Sequence, residues 1–151
     1  MKKRNFILIA LVAVFSAAIF FACSKDDEKT KTEMLTSGSW RMSAATVSPA
    51  LQGITDLYSL VPSCTKDDFT TFNANGTKVD DEGATKCDPD DPQTVNGTWE
   101  FAENETKLIM DKNTAYEMTL TIISLSESQA TFSVTSYPAS GYTTTFTFVK
   151  R

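Results

Sequence analysis

The sequence predicts an all-β fold, a small closed barrel of eight antiparallel strands in up-and-down order that carries one short helix. Three observations predict it. Apolar residues recur at alternate positions, as where Tyr116, Met118, Leu120 and Ile122 interleave with Glu117, Thr119, Thr121 and Ile123, the pattern of a strand with one buried face. The links between such runs are mostly short and rich in Asn, Gly, Ser and Asp, as hairpins require. No run alternates with long helical segments, so a parallel α/β sheet is excluded. Closure removes the edges that a secreted β protein would otherwise expose. A two-sheet sandwich fits the same strand count.

At the N-terminus Lys2, Lys3 and Arg4 precede Phe6 to Ala22, a run apolar throughout apart from Ser16. These are the charged and apolar regions of a secretory signal. Phe20-Phe21-Ala22-Cys23 resembles a bacterial lipobox: an apolar residue three positions before the cut, a small one immediately before it and the cysteine after it. Residues 1–22 are therefore expected to be a lipoprotein signal peptide, and Cys23 the site whose acyl chains anchor the protein to a membrane. Ser24 to Glu33 holds ten polar residues and no apolar one, so residues 23–34 are read as a lipidated cysteine and a flexible acidic tether. Its start, Ser24-Lys25-Asp26-Asp27-Glu28, resembles the acidic export signal of Bacteroidetes lipoproteins. That resemblance implies an outer-membrane protein exposed at the cell surface, with a periplasm-facing orientation as second choice.

The barrel domain is expected over residues 35–151. Its eight runs are Ser39 to Val47, Asp68 to Asn73, Thr77 to Asp80, Thr98 to Phe101, Lys107 to Asp111, Tyr116 to Leu125, Ala130 to Tyr137 and Tyr142 to Lys150. Between the first two, Leu51, Ile54, Leu57 and Tyr58 fall at helical spacing behind Ser48-Pro49, a suitable N-cap and first helical residue. A weak helix is expected over Pro49 to Leu60, plugging one barrel end or lying over it as a lid. Asn75-Gly76-Thr77, Asn96-Gly97-Thr98 and Asn104-Glu105-Thr106 match glycosylation acceptors but read more simply as turns.

Removing residues 1–22, with three of the fourteen basic groups, leaves 129 residues with eleven basic and nineteen acidic groups, a formal charge of −8. Such a chain is repelled by nucleic-acid phosphates and anionic lipid, so nucleic acid is excluded as a partner and membrane contact falls to the lipid alone. The absence of histidine removes Ser-His-Asp and Cys-His chemistry and His-ligated zinc. No Gly-rich phosphate loop is present, so no cofactor is expected. Beyond Cys23, Cys64 and Cys87 form an even pair in an oxidising compartment and are expected to bridge. The acidic stretch Asp80-Asp81-Glu82 and Asp88-Pro89-Asp90-Asp91 has oxygen ligands for Ca²⁺ but not the spacing of a twelve-residue calcium loop. Asp67, Asp68 and Asp80 raise the paired carboxylates of a glycosidase, yet nothing places either acid in an apolar pocket. No enzyme is expected.

Gly38-Ser39-Trp40 opens the first strand and Gly97-Thr98-Trp99-Glu100-Phe101 the fourth. With Cys64-x-x-Asp67-Asp68-x-x-x-Phe72, Asn75-Gly76-Thr77 and Cys87 between them, this order resembles the small lipocalin-like lipoproteins of Bacteroidetes over roughly Leu35 to Lys150. The domain is shorter than a full lipocalin, and Lys150-Arg151 stands in loosely for the arginine that packs on the first-strand tryptophan. In such a barrel Gly38 allows close backbone approach and Trp40 closes the bottom. The candidate interior comprises Phe72, Trp99, Phe101, Met110, Met118, Phe132 and Phe146, which either fill a core or line a pocket for a small apolar or amphipathic ligand. The rival expectation is a solid barrel, monomeric like the first, that contacts a protein or glycan through its loops.

Overall fold

The computed structural model describes residues 28–151. The expected signal peptide, residues 1–22, and Cys23 lie outside them. A six-residue helix, α1 (Lys31–Thr36), opens the described chain, with Thr30 and Glu33 forming a reciprocal capping box that satisfies two otherwise orphaned backbone donors. The ordered domain thus begins about five residues before the expected boundary at Leu35. The end of the expected tether, residues 31–34, is helical because Leu35, 1% exposed, anchors the helix in the core.

Nine antiparallel strands follow: β1 (Ser39–Leu51), β2 (Ile54–Asp56), β3 (Phe69–Phe72), β4 (Thr77–Asp81), β5 (Thr94–Ala102), β6 (Lys107–Met110), β7 (Met118–Leu125), β8 (Gln129–Thr135) and β9 (Thr143–Lys150). β1 pairs with β3, each strand from β3 to β8 pairs with the next, and β9 pairs back on β1 from Trp40↔Lys150 to Ser48↔Thr143, so the sheet closes. The barrel proper has eight strands, β1 and β3 to β9, and these are the eight runs expected from the alternation, with ends shifted by a few residues.

The ninth strand replaces the helix expected over Pro49 to Leu60. β1 continues through Pro49 to Leu51, turns at Gln52 and Gly53, both with positive φ (51° and 87°), and returns as β2, with Leu51 opposite Ile54. Two successive left-handed residues fit a hairpin turn and break a helix. Only Tyr58–Leu60 and Ser63–Thr65 wind further, as single 3₁₀ turns. The apolar residues of this stretch do not plug the barrel: Ile54 and Leu60 are exposed, the latter 62%. Two other expectations also change. Asn96-Gly97-Thr98 lies within β5 rather than in a turn, because it pairs with β4 at Val79 and Lys78. Tyr116 precedes β7 and is 82% exposed, not interior.

The pairing register separates the two faces. Trp40, Thr70, Asp80 and Val95 share one side, as do Met110, Met118 and Leu120, and Phe132, Phe146 and Phe148; this side faces the interior. The outer rows, such as Thr119 with Thr121 and Thr145 with Thr147, are polar.

The two barrel ends differ. At the end where β1 begins, α1 covers the strands: Leu35 packs with Trp40, Phe72, Trp99, Leu108, Leu120, Ala130 and Phe132 in one buried cluster. Lys31 Nζ donates to Glu105 O at 2.5 Å and Lys29 pairs with Glu127 at 2.9 Å, tying α1 and the segment before it to the turns at that end. At the opposite end the links 52–68, 82–93, 111–117 and 136–142 surround an opening. Cys64 and Cys87 join two of these links in a disulfide, their Cα atoms 5.2 Å apart, as compartment and parity predicted.

Candidate functional site

A cavity of about 410 Å³ opens at this second end, within the range of small-molecule sites. Trp40 forms part of its floor, with its indole N–H satisfied at 2.7 Å by Leu35 O of the helix beneath. Met42, Phe146, Phe148, Val134, Leu120, Met118 and Met110, on the successive neighbouring strands β1, β9, β8, β7 and β6, supply apolar wall. Unbranched thioether chains adapt to ligand shape more readily than branched ones. Val95 and Tyr137, both exposed, stand at the mouth.

Of the expected interior residues, Met110, Met118 and Phe146 line this cavity. Phe72, Trp99, Phe101 and Phe132 instead belong to the packed half nearer α1. There Trp99 meets Phe72 and Phe101 edge to face, with centroids 5.7 and 5.3 Å away, and donates to Asn73 O at 3.0 Å. Alternation places a residue on the inner face but not at a height, and height separates solid core from pocket. Four apolar lining residues outside the candidate interior set, Met42, Leu120, Val134 and Phe148, each lie two positions along a strand from an expected inward-facing residue.

Both Gly-x-Trp motifs acquire a mechanical reason. A side chain on Gly38 would lie 3.1 Å from the Lys150 chain, and one on Gly97 would lie 2.1 Å from Asp111 Oδ1 and 2.9 Å from the Lys78 chain. Each glycine therefore leaves room for a lysine from the adjacent strand, since Lys150 pairs with Trp40 and Lys78 with Gly97. Lys150 Nζ lies 5.6 Å from the Trp40 ring centroid and takes the cation's place on that ring, while Arg151 lies over Phe69. Lys78, 4% exposed, is held between Asp80 and Asp111. Burial acts to lower its pKa, but the hydrogen bonds and charge of Asp80 and Asp111 prevail and raise it, so its ammonium is kept charged.

One wall of the cavity carries Asp68, Asp80, Asp81 and Glu82, and no lysine or arginine lines it. Asp80 accepts from Thr70 Oγ1 at 2.6 Å and from Lys78. Asp81 accepts from Gly83 N and Gln93 Nε2, each at 2.9 Å. Asp67, just outside the cavity, receives Thr85 Oγ1 and the backbone N–H groups of Ala84 and Thr85, which hold its pKa down. Asp68 is different. Its Oδ1 is buried and has no hydrogen-bond partner. Burial first, then the charges of Glu82, Asp67 and Asp81, push its pKa up from 3.8 to about 6. Nothing in the sequence places Asp68 in a pocket that would raise its pKa, because its surroundings at the barrel mouth come from links distant in sequence. Among the described residues no three carboxylate or thiol groups converge as a metal site would need, and the 80–91 stretch is held by its own contacts, Lys86 Nζ donating to Pro89 O at 2.9 Å and to Asp91 O.

A family model described as a lipocalin-like domain matches residues 36–132, more than half of the 151-residue chain. The match spans the helix end through most of β8, both Gly-x-Trp motifs and both bridging cysteines. No curated protein matches the chain.

Proposed function

The chain belongs to the lipocalin-like domain family, and from that premise we propose that it binds a small apolar or amphipathic ligand in the barrel while anchored to a membrane through lipid on Cys23. The single observation that carries the binding reading is the cavity of about 410 Å³, apolar on its floor and much of its wall, closed beneath by Trp40 and α1 and open at the other end. A barrel that acted only through its loops would have no reason to leave that volume unfilled, because closing it would bury more apolar surface.

The chemistry of the wall favours binding over catalysis. Asp80 and Asp81 are engaged by fixed donors, and no histidine, cysteine thiol or basic side chain lines the cavity beside Asp68. The disulfide holds two mouth links together, which keeps the site formed before a ligand arrives.

The anchoring part rests on the lipobox-like Phe20-Phe21-Ala22-Cys23 and the carboxylates behind it. The described chain begins just before α1, where Lys29 pairs with Glu127 at the end opposite the cavity mouth, and a lipid anchor at Cys23 accords with a mouth that faces away from the bilayer. The protein works as a monomer at the outer membrane, on its outward surface. Mass spectrometry of the mature N-terminus tests the lipid, and protease shaving of intact cells tests the surface address. Native mass spectrometry of protein from its own host tests the ligand: a small-molecule adduct lost on denaturation is expected. A ligand-free mass, together with failure to bind any apolar probe, contradicts the reading.

A further inference from the structure

We propose that the ligand is a cationic amphiphile, an ammonium head on an apolar chain, with the head against Asp68 and the chain over Met110, Met118, Phe146 and Phe148. This rests on the binding reading above and adds the chemical class of what is bound.

The polarity of the cavity is one-sided. Four carboxylates line it and no basic side chain does. Lys78, which pairs with the wall residue Asp80, lies between Asp80 and Asp111 and offsets those two. Asp81 is held by a backbone N–H and an amide. That leaves Asp68, which lines the cavity with Glu82 as its strongest charged neighbour and whose Oδ1, itself covered by protein, has no donor to offset the charge. A carboxylate partly desolvated beside other carboxylates is eased by positive charge brought against the face it turns to the cavity, so a ligand with a cationic head gains more there than one without.

Alternative heads fit worse. A carboxylate, sulfate or phosphate head would enter the field of Asp68 and Glu82 with no cation on the wall to meet it, and like charges at short range repel strongly where water is partly excluded. A hydroxyl head can donate to the wall but gains little from the surrounding negative charge, whereas a charge-assisted bond is about twice as strong as a neutral one. A bare divalent ion needs several converging oxygen ligands, and no such group exists among the described residues. The apolar remainder of the cavity would also stay empty under an ion, while an alkyl chain covers it.

The test uses the purified protein at pH 7.5 and low ionic strength, titrated by calorimetry with decylammonium, decanol and decanoate, each below its aggregation concentration. Decylammonium is expected to bind about tenfold more tightly than decanol, with decanoate weakest, and added salt to shrink the gap. Asp68→Asn is expected to remove most of the preference for decylammonium and to leave decanol within a factor of about two. Glu82→Gln, which spares the buried oxygen, is expected to reduce the preference in part. If decanol or decanoate binds the unaltered protein as tightly as decylammonium, the head-group inference is overturned while the cavity-binding reading stands. If Asp68→Asn and Glu82→Gln both keep the full preference, the assignment of the head to this wall is overturned. If none of the three ligands binds, both readings fall together.

Discussion

Replacing Asp68 with asparagine removes a charge that the folded barrel holds at a disadvantage, and the gain in stability is calculable in sign and scale. The carboxyl is pushed from its ordinary value of 3.8 to about 6 by burial, then by Glu82, Asp67 and Asp81. Between those values the folded protein binds more protons at this site than the unfolded chain. Stability contributed by the site is therefore full below about pH 3.8, falls as pH rises, and is lost above about 6. The displacement corresponds to at most about 3 kcal/mol, and water at the cavity mouth screens this to about 1 kcal/mol. Asparagine keeps the shape without the charge. Asp68→Asn is expected to unfold in urea with a midpoint raised by the equivalent of about 1 kcal/mol at pH 7.5, and with most of that difference gone at pH 4. A variant that is no more stable at pH 7.5, or whose advantage is the same at both pH values, refutes the placement of Asp68 in a desolvated, negatively charged wall.

Other perturbations test the frame around the site. Cys64→Ala with Cys87→Ala frees a loop of sequence separation 23 and is expected to lower urea stability by about 3 kcal/mol on the chain-entropy account; an unchanged midpoint would show that the bridge constrains nothing. Gly97→Ala puts a methyl 2.1 Å from Asp111 Oδ1, beside Lys78, and should lower stability by about 1–3 kcal/mol, whereas a neutral result would contradict the role given to that glycine. Leu108→Ala, at a fully buried position in the packed half, should lower stability by about 2–5 kcal/mol in the same assay; a loss below this range would place Leu108 outside the core.

The barrel was legible in the sequence because its signals are local. Alternation in β7, β8 and β9 and the Gly-x-Trp openings of β1 and β5 each report on a few consecutive residues, and closure follows once eight short runs meander without an edge to spare. The segment from Pro49 to Leu60 was misread because apolar spacing of three and four also occurs in a hairpin whose turn, Gln52-Gly53, takes positive φ. The alternation cannot see that conformation. The helix that does close the barrel is a short stretch at residues 31–36 whose only buried anchor is Leu35, too little periodicity to stand out against a polar segment. The cavity was half visible: Met110, Met118 and Phe146 were placed inside, but the level at which core gives way to space depends on how far α1 and the Phe72–Trp99–Phe101 stack rise within the barrel. Asp68 was least accessible of all, since its burial is created by links that approach one another only in the closed fold.

The central claim is that the space above Trp40 and α1 is a binding site, and the most direct measurement is a fluorescence titration with the neutral apolar dye N-phenyl-1-naphthylamine on the unaltered protein and on Met118→Trp. Met118 lines the cavity yet is partly exposed, so a larger side chain there obstructs the site without overpacking the buried cluster. Saturable binding by the unaltered protein, abolished or weakened at least about tenfold by Met118→Trp with the urea midpoint preserved, is the result expected. No saturable binding by the unaltered protein, or equal binding by a folded Met118→Trp, contradicts it.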